Sequence, residues 1–397
     1  MDPQESQAGG GSSTDLVTEQ IPSWLRRSRS KPVGLGLATW GDLRDQGWRE
    51  ILLGNGFSIG LWPRFAYGSL FGVARDSGHL SPEDARLFEE METADFERGL
   101  SQLLTTAMVL DVYRELDARS RIGGRYAAIQ KALLASLRDV HPRWSDVTDE
   151  ALTTAACFLR QFARVYSTNY DLLLYWTILR DKDHFRDFFW RRGFDSSNTE
   201  IWGDATALYY LHGAVFLSEN TIGEATKIVR GERQDLLTIL GAALQAGNIP
   251  LFVSEGASRA KVRRIRESDY LSFCHDALRS SDAPLVVYGS RLGDSDEHIT
   301  RSIHESPRSD IAVGLYTDDP DEVADEKHRI GRLLAGKRLA FFDSRTLNPW
   351  AVLPEKDKSP PAIHRGIQQD AGVEDAGRVH RLLDGAHGGD VRLAAGQ

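Results

Sequence analysis

From residue 50 onward, short apolar runs alternate with longer stretches in which apolar positions recur every three or four residues. The runs at 50–53, 164–167, 208–211, 250–253, 284–288, 311–315 and 339–342 are too short for helices and rich in branched and aromatic residues. They predict buried strands. Helical periodicity covers 81–91, 95–114, 126–139, 148–163, 172–179, 232–246, 257–280, 295–305 and 320–335. This alternation predicts an α/β fold: a Rossmann-like, mostly parallel sheet with helices on both faces and a helix-rich insertion. Ligands of such sheets bind outside the carboxyl ends of the strands, where the strand order reverses.

The ends of the chain break the pattern. Residues 1–20 carry a Gly/Ser run and no aromatic, which predicts a disordered tail. Residues 355–397 also lack aromatics and predict a mobile tail. Between them, 21–354 reads as one domain, with a helical insertion at about 69–163. No internal repeat is visible.

Composition narrows the function classes. A formal net charge of −9 argues against strong nucleic-acid binding. The basic cluster Arg259, Lys261, Arg263, Arg264 and Arg266 has helical spacing, and a solvated face contacting carboxylates is its simplest meaning. Only Cys157 and Cys274 are present, too few for a four-cysteine zinc module or a disulfide framework; no metal is expected. No apolar h-region or bilayer-length apolar run is visible, so a cytoplasmic protein away from membranes is expected.

Four motifs follow predicted strands. Gly54-Asn55-Gly56-Phe57-Ser58 allows a tight turn and a close backbone approach to a pyrophosphate, or is simply a turn. Ile59 stands where a third glycine of a dinucleotide fingerprint would be. In Ser167-Thr168-Asn169-Tyr170-Asp171, Thr168, Asn169 or Asp171 can cap the helix that follows, yet more polar side chains cluster than one cap needs. Leu211-His212-Gly213 places a histidine able to exchange protons near neutral pH at a strand end, though a lone histidine is often structural. In Val287-Tyr288-Gly289-Ser290-Arg291-Leu292-Gly293-Asp294-Ser295-Asp296, Gly289 and Ser290 can meet a ribose or phosphate, and Asp294 or Ser295 can cap the next helix.

In this order the motifs resemble the sirtuin superfamily, and more closely the sirtuin-like NAD-cleaving domains of bacterial antiviral defence. The resemblance spans about residues 50–315. It implies a cofactor-binding set of Gly54, Asn55, Gly56, Phe57, Ser58, Thr168, Gly289, Ser290 and Asp294, with NAD as substrate. It also implies a reacting centre of Asn169 and His212, supported by Asp171. Two departures argue against peptide deacylation. The zinc module is missing, and Trp62-Pro63-Arg64-Phe65 puts Arg64 where the family's Asp-Phe-Arg signature has aspartate.

The implied chemistry is departure of neutral nicotinamide from its ribose. Such a step needs orientation of the ribose, stabilisation of developing positive charge and a positioned water. Asn169 would hold a ribose hydroxyl or the water, and His212 would accept a proton if its pKa is near neutral. The products expected are nicotinamide and ADP-ribose. By resemblance the role is NAD depletion on infection, in a homo-oligomer responding to an activating partner or phage-derived trigger. The alternatives are a non-catalytic sensor of NAD or ADP-ribose, and, less favoured, a deacylase or ADP-ribosyltransferase. Asp95-Phe96-Glu97, inside the insertion, reads as a helix start with dipole-favourable acids and as a pocket contact.

Overall fold

The computed structural model describes residues 36–190, 193–197, 205–219, 224–228, 237–238, 250–253 and 258–351. Both predicted tails and most of the 232–246 helix lie outside the described residues.

Seven strands form the main sheet: β1 (Glu50–Leu53), β2 (Arg164–Ser167), β3 (Phe185–Arg186), β6 (Thr206–Tyr210), β10 (Leu285–Tyr288), β11 (Asp310–Leu315) and β12 (Arg338–Asp343). Their spatial order is β12-β11-β10-β1-β2-β6-β3, and every pairing is parallel. Ile51, Leu52 and Leu53 are fully buried, as are Leu285, Val286 and Val287. Successive strand side chains point to opposite faces, so unbroken burial means that both faces are covered. The expected α/β, Rossmann-like class is therefore the observed one.

A second, antiparallel sheet was not foreseen. It contains β4 (Phe189–Trp190), β5 (Gly193–Phe194), β7 (Gly213–Glu219), β8 (Ala225–Lys227) and β9 (Pro250–Phe252), in the order β4-β5-β8-β7-β9. The predicted strand at 250–253 exists but pairs with β7 here and is not part of the parallel sheet. Apolar composition marks a strand without saying which sheet receives it.

The stretch between β1 and β2 is helical, as predicted, and more completely so. It holds α2 (Asn55–Leu61), α3 (Tyr67–Asp76), α4 (Pro82–Glu90), α5 (Phe96–Val112), α6 (Leu116–Val140) and α7 (Asp149–Leu159); a short α1 (Trp40–Leu43) precedes β1. Ser81 and Asp95 cap α4 and α5 through their side chains, and Thr148 caps α7. Residues 113–115 turn α5 into α6, leaving Met108, Val112, Tyr113 and Leu116 exposed at the tip of this hairpin.

Beyond β2 lie α8 (Leu173–Leu179), α9 (Ser258–Arg266), α10 (Asp269–Ser280), α11 (Glu297–Glu305) and α12 (Pro320–Leu333). The single helix expected over 257–280 is two, α9 and α10, with Ser268 buried between them. Among the described residues no helix is long and apolar enough to cross a membrane. At the amino edge of the sheet, fully buried Arg308 pairs with Glu50 at 3.2 Å and donates to the Leu278 carbonyl at 2.8 Å.

Candidate functional site

The strand order reverses between β1 and β10. From β1 the chain proceeds to β2 on one side, and from β10 to β11 and β12 on the other. The carboxyl ends of β1 and β10 thus flank the crevice where such sheets bind ligands. Gly54 and Gly289 meet there.

The meeting is very close. Gly56 N–H donates to the Gly289 carbonyl at 2.9 Å, and Gly54 N–H to the Tyr288 carbonyl at 2.9 Å. A Cβ on Gly54 would stand 2.5 Å from the Gly289 oxygen; one on Gly56 would stand 2.6 Å from Gly289 Cα. Gly289 itself has φ +72°, a conformation that favours glycine. These glycines are required by the packing of one loop on the other, whatever else they meet.

The first motif is also not an extended loop. Gly54 is the N-cap of α2, and helix begins at Asn55. Phe57, expected among the cofactor-binding residues, is fully buried, its ring 4.4 Å from Trp350, and the structure gives it a packing role. Asn55 donates to the Phe65 carbonyl at 3.1 Å. Ser58 alone of this motif turns its side chain to the second one.

That contact organises the centre. Asn169 Nδ2 donates to Ser58 Oγ at 2.9 Å and to the Gly54 carbonyl at 3.0 Å. Ser58 Oγ donates to Asp171 Oδ2 at 2.6 Å. Asp171 Oδ1 accepts the Leu173 N–H at 2.8 Å, so the capping anticipated from sequence is present alongside the Ser58 bond. Both N–H bonds of the Asn169 amide are committed to the protein, which leaves Oδ1 to accept from a ligand. Burial raises the Asp171 carboxyl above its usual range, opposed by the Ser58 and Leu173 bonds. Thr168 lies half-buried beside these residues, its hydroxyl donating to the Leu53 carbonyl at 3.4 Å.

His212 lies in the turn between β6 and β7, at the same edge. Gly213 follows with φ +71°, and a Cβ there would collide with the Leu251 carbonyl of β9. The glycine is needed for the turn into the second sheet; making room for the imidazole is not its main task. His212 Nε2 lies 2.9 Å from His298 Nε2 and 3.8 Å from Asp296 Oδ1. Burial, Lys261 and the neighbouring histidines push its pKa well below 6.5. The near-neutral pKa expected for a proton acceptor is therefore not what this environment produces.

Around His212 stand residues outside the expected reacting centre and cofactor-binding set. Lys261 is fully buried, with Nζ 2.8 Å from Glu97 Oε2 and 3.1 Å from Asp296 Oδ1. Burial works to lower its pKa, but Glu97 and Asp296 outweigh it and hold the ammonium protonated. Tyr170 donates its hydroxyl to Glu97 at 2.7 Å, also lies 2.8 Å from the Val253 carbonyl, and stacks on His212 at 6.4 Å. Two carboxylates and one ammonium leave the cluster formally at −1.

Sequence carried partial signals for these residues. Glu97 belongs to the Asp95-Phe96-Glu97 stretch, and the first turn of α5 brings it in from the insertion. Lys261 and Ile265, four apart, form the buried stripe of α9, whereas Arg264 pairs outward with Glu219 at 2.7 Å. Asp296 closes the motif that begins with Tyr288-Gly289-Ser290, and His298 lies two residues beyond it, in the first turn of α11. Ser290 accepts the Leu292 N–H at 3.2 Å, and Asp294 is exposed in a 3-10 turn that leads into α11.

Fold and site together define an α/β protein with a polar, buried cluster at the carboxyl edge of a parallel sheet. Residues 51–350 match the family described as Domain of unknown function (DUF4917), and the chain belongs to it. No curated protein matches the sequence.

Proposed function

We propose that the chain binds NAD at this edge and hydrolyses its nicotinamide–ribose bond. The observation that carries the proposal is convergence. Ser58, Asn169 and His212, taken from three separate motifs, stand at the ends of the adjacent strands β1, β2 and β6, and Ser58 is bonded directly to Asn169. The resemblance of those motifs to sirtuin-like NAD-cleaving domains supplies the substrate.

In the proposed reaction the C1–N bond to nicotinamide breaks, a C1–O bond to water forms, and the products are nicotinamide, ADP-ribose and a proton. Asn169 Oδ1 accepts from a ribose hydroxyl and fixes the sugar. The formally negative Glu97–Lys261–Asp296 cluster favours the cationic nicotinamide ring and the oxocarbenium-like transition state. His212 orients the water by hydrogen bonding. Being held neutral by burial, it is not the final proton acceptor; the proton leaves through Asp296, the more exposed neighbour.

The same depressed basicity favours the second reading, a sensor that binds NAD or ADP-ribose without turnover. The cytoplasmic location, a role in antiviral NAD depletion and a trigger belong to the proposal through the resemblance. Homo-oligomerisation is supported by the exposed apolar tip of the α5–α6 hairpin. Deacylation and ADP-ribosyl transfer are less favoured, for want of a zinc module or an acceptor motif.

Calorimetry with ADP-ribose, which is not consumed, tests the site. The expected result is binding by the parent and at least tenfold weaker binding by folded Asn169→Ala. A folded parent that binds neither ADP-ribose nor NAD overturns the proposal.

A further inference from the structure

We propose that His212, His298 and Asp296 bind one divalent transition-metal ion. Cysteine counting, which excludes a four-cysteine module, does not address this group. One ligand atom from each residue lies within 4.8 Å of the others. The two Nε2 atoms are 2.9 Å apart, and Asp296 Oδ1 is 3.8 Å from that of His212. Imidazole nitrogens bound to one zinc ion at about 2.0–2.1 Å stand roughly 2.8–3.4 Å apart at octahedral to tetrahedral angles. The ring centroids are 5.1 Å apart, so the two Nε2 atoms face each other, and coordination requires each ring to turn by roughly 35° until both lone pairs converge on one ion.

The surroundings suit coordination. Both histidines are buried, which favours the neutral imidazole that metals bind. The β6–β7 turn fixes His212, and α11 presents His298 two residues after Asp296. Ser258 Oγ lies 3.4 Å from His298 Nδ1, in position to orient the ring from its far side. Two imidazoles and one carboxylate favour zinc, cobalt, nickel or ferrous iron over magnesium or calcium.

Lys261 opposes the ion, because its ammonium shares Asp296 Oδ1 at 3.1 Å. Glu97, at 2.8 Å, retains it when Asp296 turns to the metal. Lys261 thus sets the affinity, and removing its charge strengthens binding. Regulation follows if His212 acts as proposed above, and this part rests on that reading: a metal on Nε2 takes the atom that orients the water, so zinc suppresses nicotinamide release and a chelator restores it.

The test is titration of the full chain, stripped of metal, with Co(II) by visible absorption and with Zn(II) by calorimetry. One equivalent should bind to the parent, at least tenfold more weakly to His298→Ala and to Asp296→Asn, and at least tenfold more tightly to Lys261→Met. Asp296→Asn, at a partly exposed position, serves if His298→Ala does not fold. Absence of stoichiometric binding overturns the proposal. So does affinity unchanged in the folded variants, which would assign the ion elsewhere, for example to His364, His380 and His387 near the carboxyl terminus. The titration contains no NAD, so its failure leaves the NAD reading standing, and loss of NAD binding leaves the metal site standing.

Discussion

At the residue scale, glycine positions divide by what a Cβ would meet. On Gly56 it faces the backbone of Gly289 at 2.6 Å, and a backbone cannot swing aside. On Gly60, in the same helix, it meets the edge of Trp350 at 3.5 Å, an ordinary contact. Gly56→Ala is therefore expected to destabilise the fold by about 1–3 kcal/mol through overpacking. Gly60→Ala is expected to stabilise it by about 0.5–1 kcal/mol through helix propensity. Urea midpoints of the two variants check both signs, and equal effects would mean that the two loops are not packed as described. Loss of ligand binding in Gly56→Ala would by itself say little about a pyrophosphate cradle. The placement of Asn169 and His212 at the carboxyl edge was legible because each lies two residues past an apolar strand run, although capping and a structural histidine were also open from sequence. Phe57 was not legible: its burial depends on Trp350, almost three hundred positions away, and no local pattern encodes that contact.

At the scale of elements, the insertion is coupled to the site at two points. Glu97 reaches Lys261 and Tyr170 from the first turn of α5. His141, just after α6, accepts the Leu172 N–H on Nε2 at 3.0 Å and donates from Nδ1 to the Pro142 carbonyl at 2.8 Å. It thereby holds the segment that carries Asn169 and Asp171. Burial pushes the His141 pKa down from 6.5 to about 4, opposed by the Pro142 bond. A histidine depressed in the folded state takes up protons more readily when unfolded, so stability falls as pH drops below 6.5 and levels off near 4. Between pH 7 and 5 this one group costs about 2 kcal/mol of stability. Asp171 and Asp95, raised by burial, act in the opposite sense at lower pH. His141→Gln, whose side-chain oxygen can still accept from Leu172, should lose less stability over that interval than the parent. Equal losses, read from urea unfolding at the two pH values, would remove His141 from the account. The helices α4, α5 and α7 were legible from periodicity and capping residues. The helix α2 was not, because Gly54, Gly56 and Gly60 read as turn formers and tertiary packing overrides that propensity. The break between α9 and α10 was hidden because apolar spacing continues through Ile265 and Tyr270.

At the scale of the whole molecule, the parallel sheet keeps a buried ion pair at one edge and the candidate site at the other. Its amino edge holds the buried Glu50–Arg308 pair, and its carboxyl edge holds Asn169, His212 and the Lys261 cluster. Strand–helix alternation made the class readable, and with it the carboxyl edge at which the candidate motifs gather, because that edge follows from topology. The second sheet was not readable, since β4, β5 and β8 are only two or three residues long and their pairing is non-local. The cluster that surrounds His212 was assembled from α5, α9 and the start of α11, and only the fold brings these together. We propose that this edge cleaves NAD. Incubating the purified, metal-free chain with NAD and quantifying both products tests it most directly. The account predicts nicotinamide and ADP-ribose in equal amounts from the parent, and less than a tenth of that rate from folded Asn169→Ala. Undiminished release by Asn169→Ala, or a parent that binds NAD at the site and leaves it intact, would contradict it.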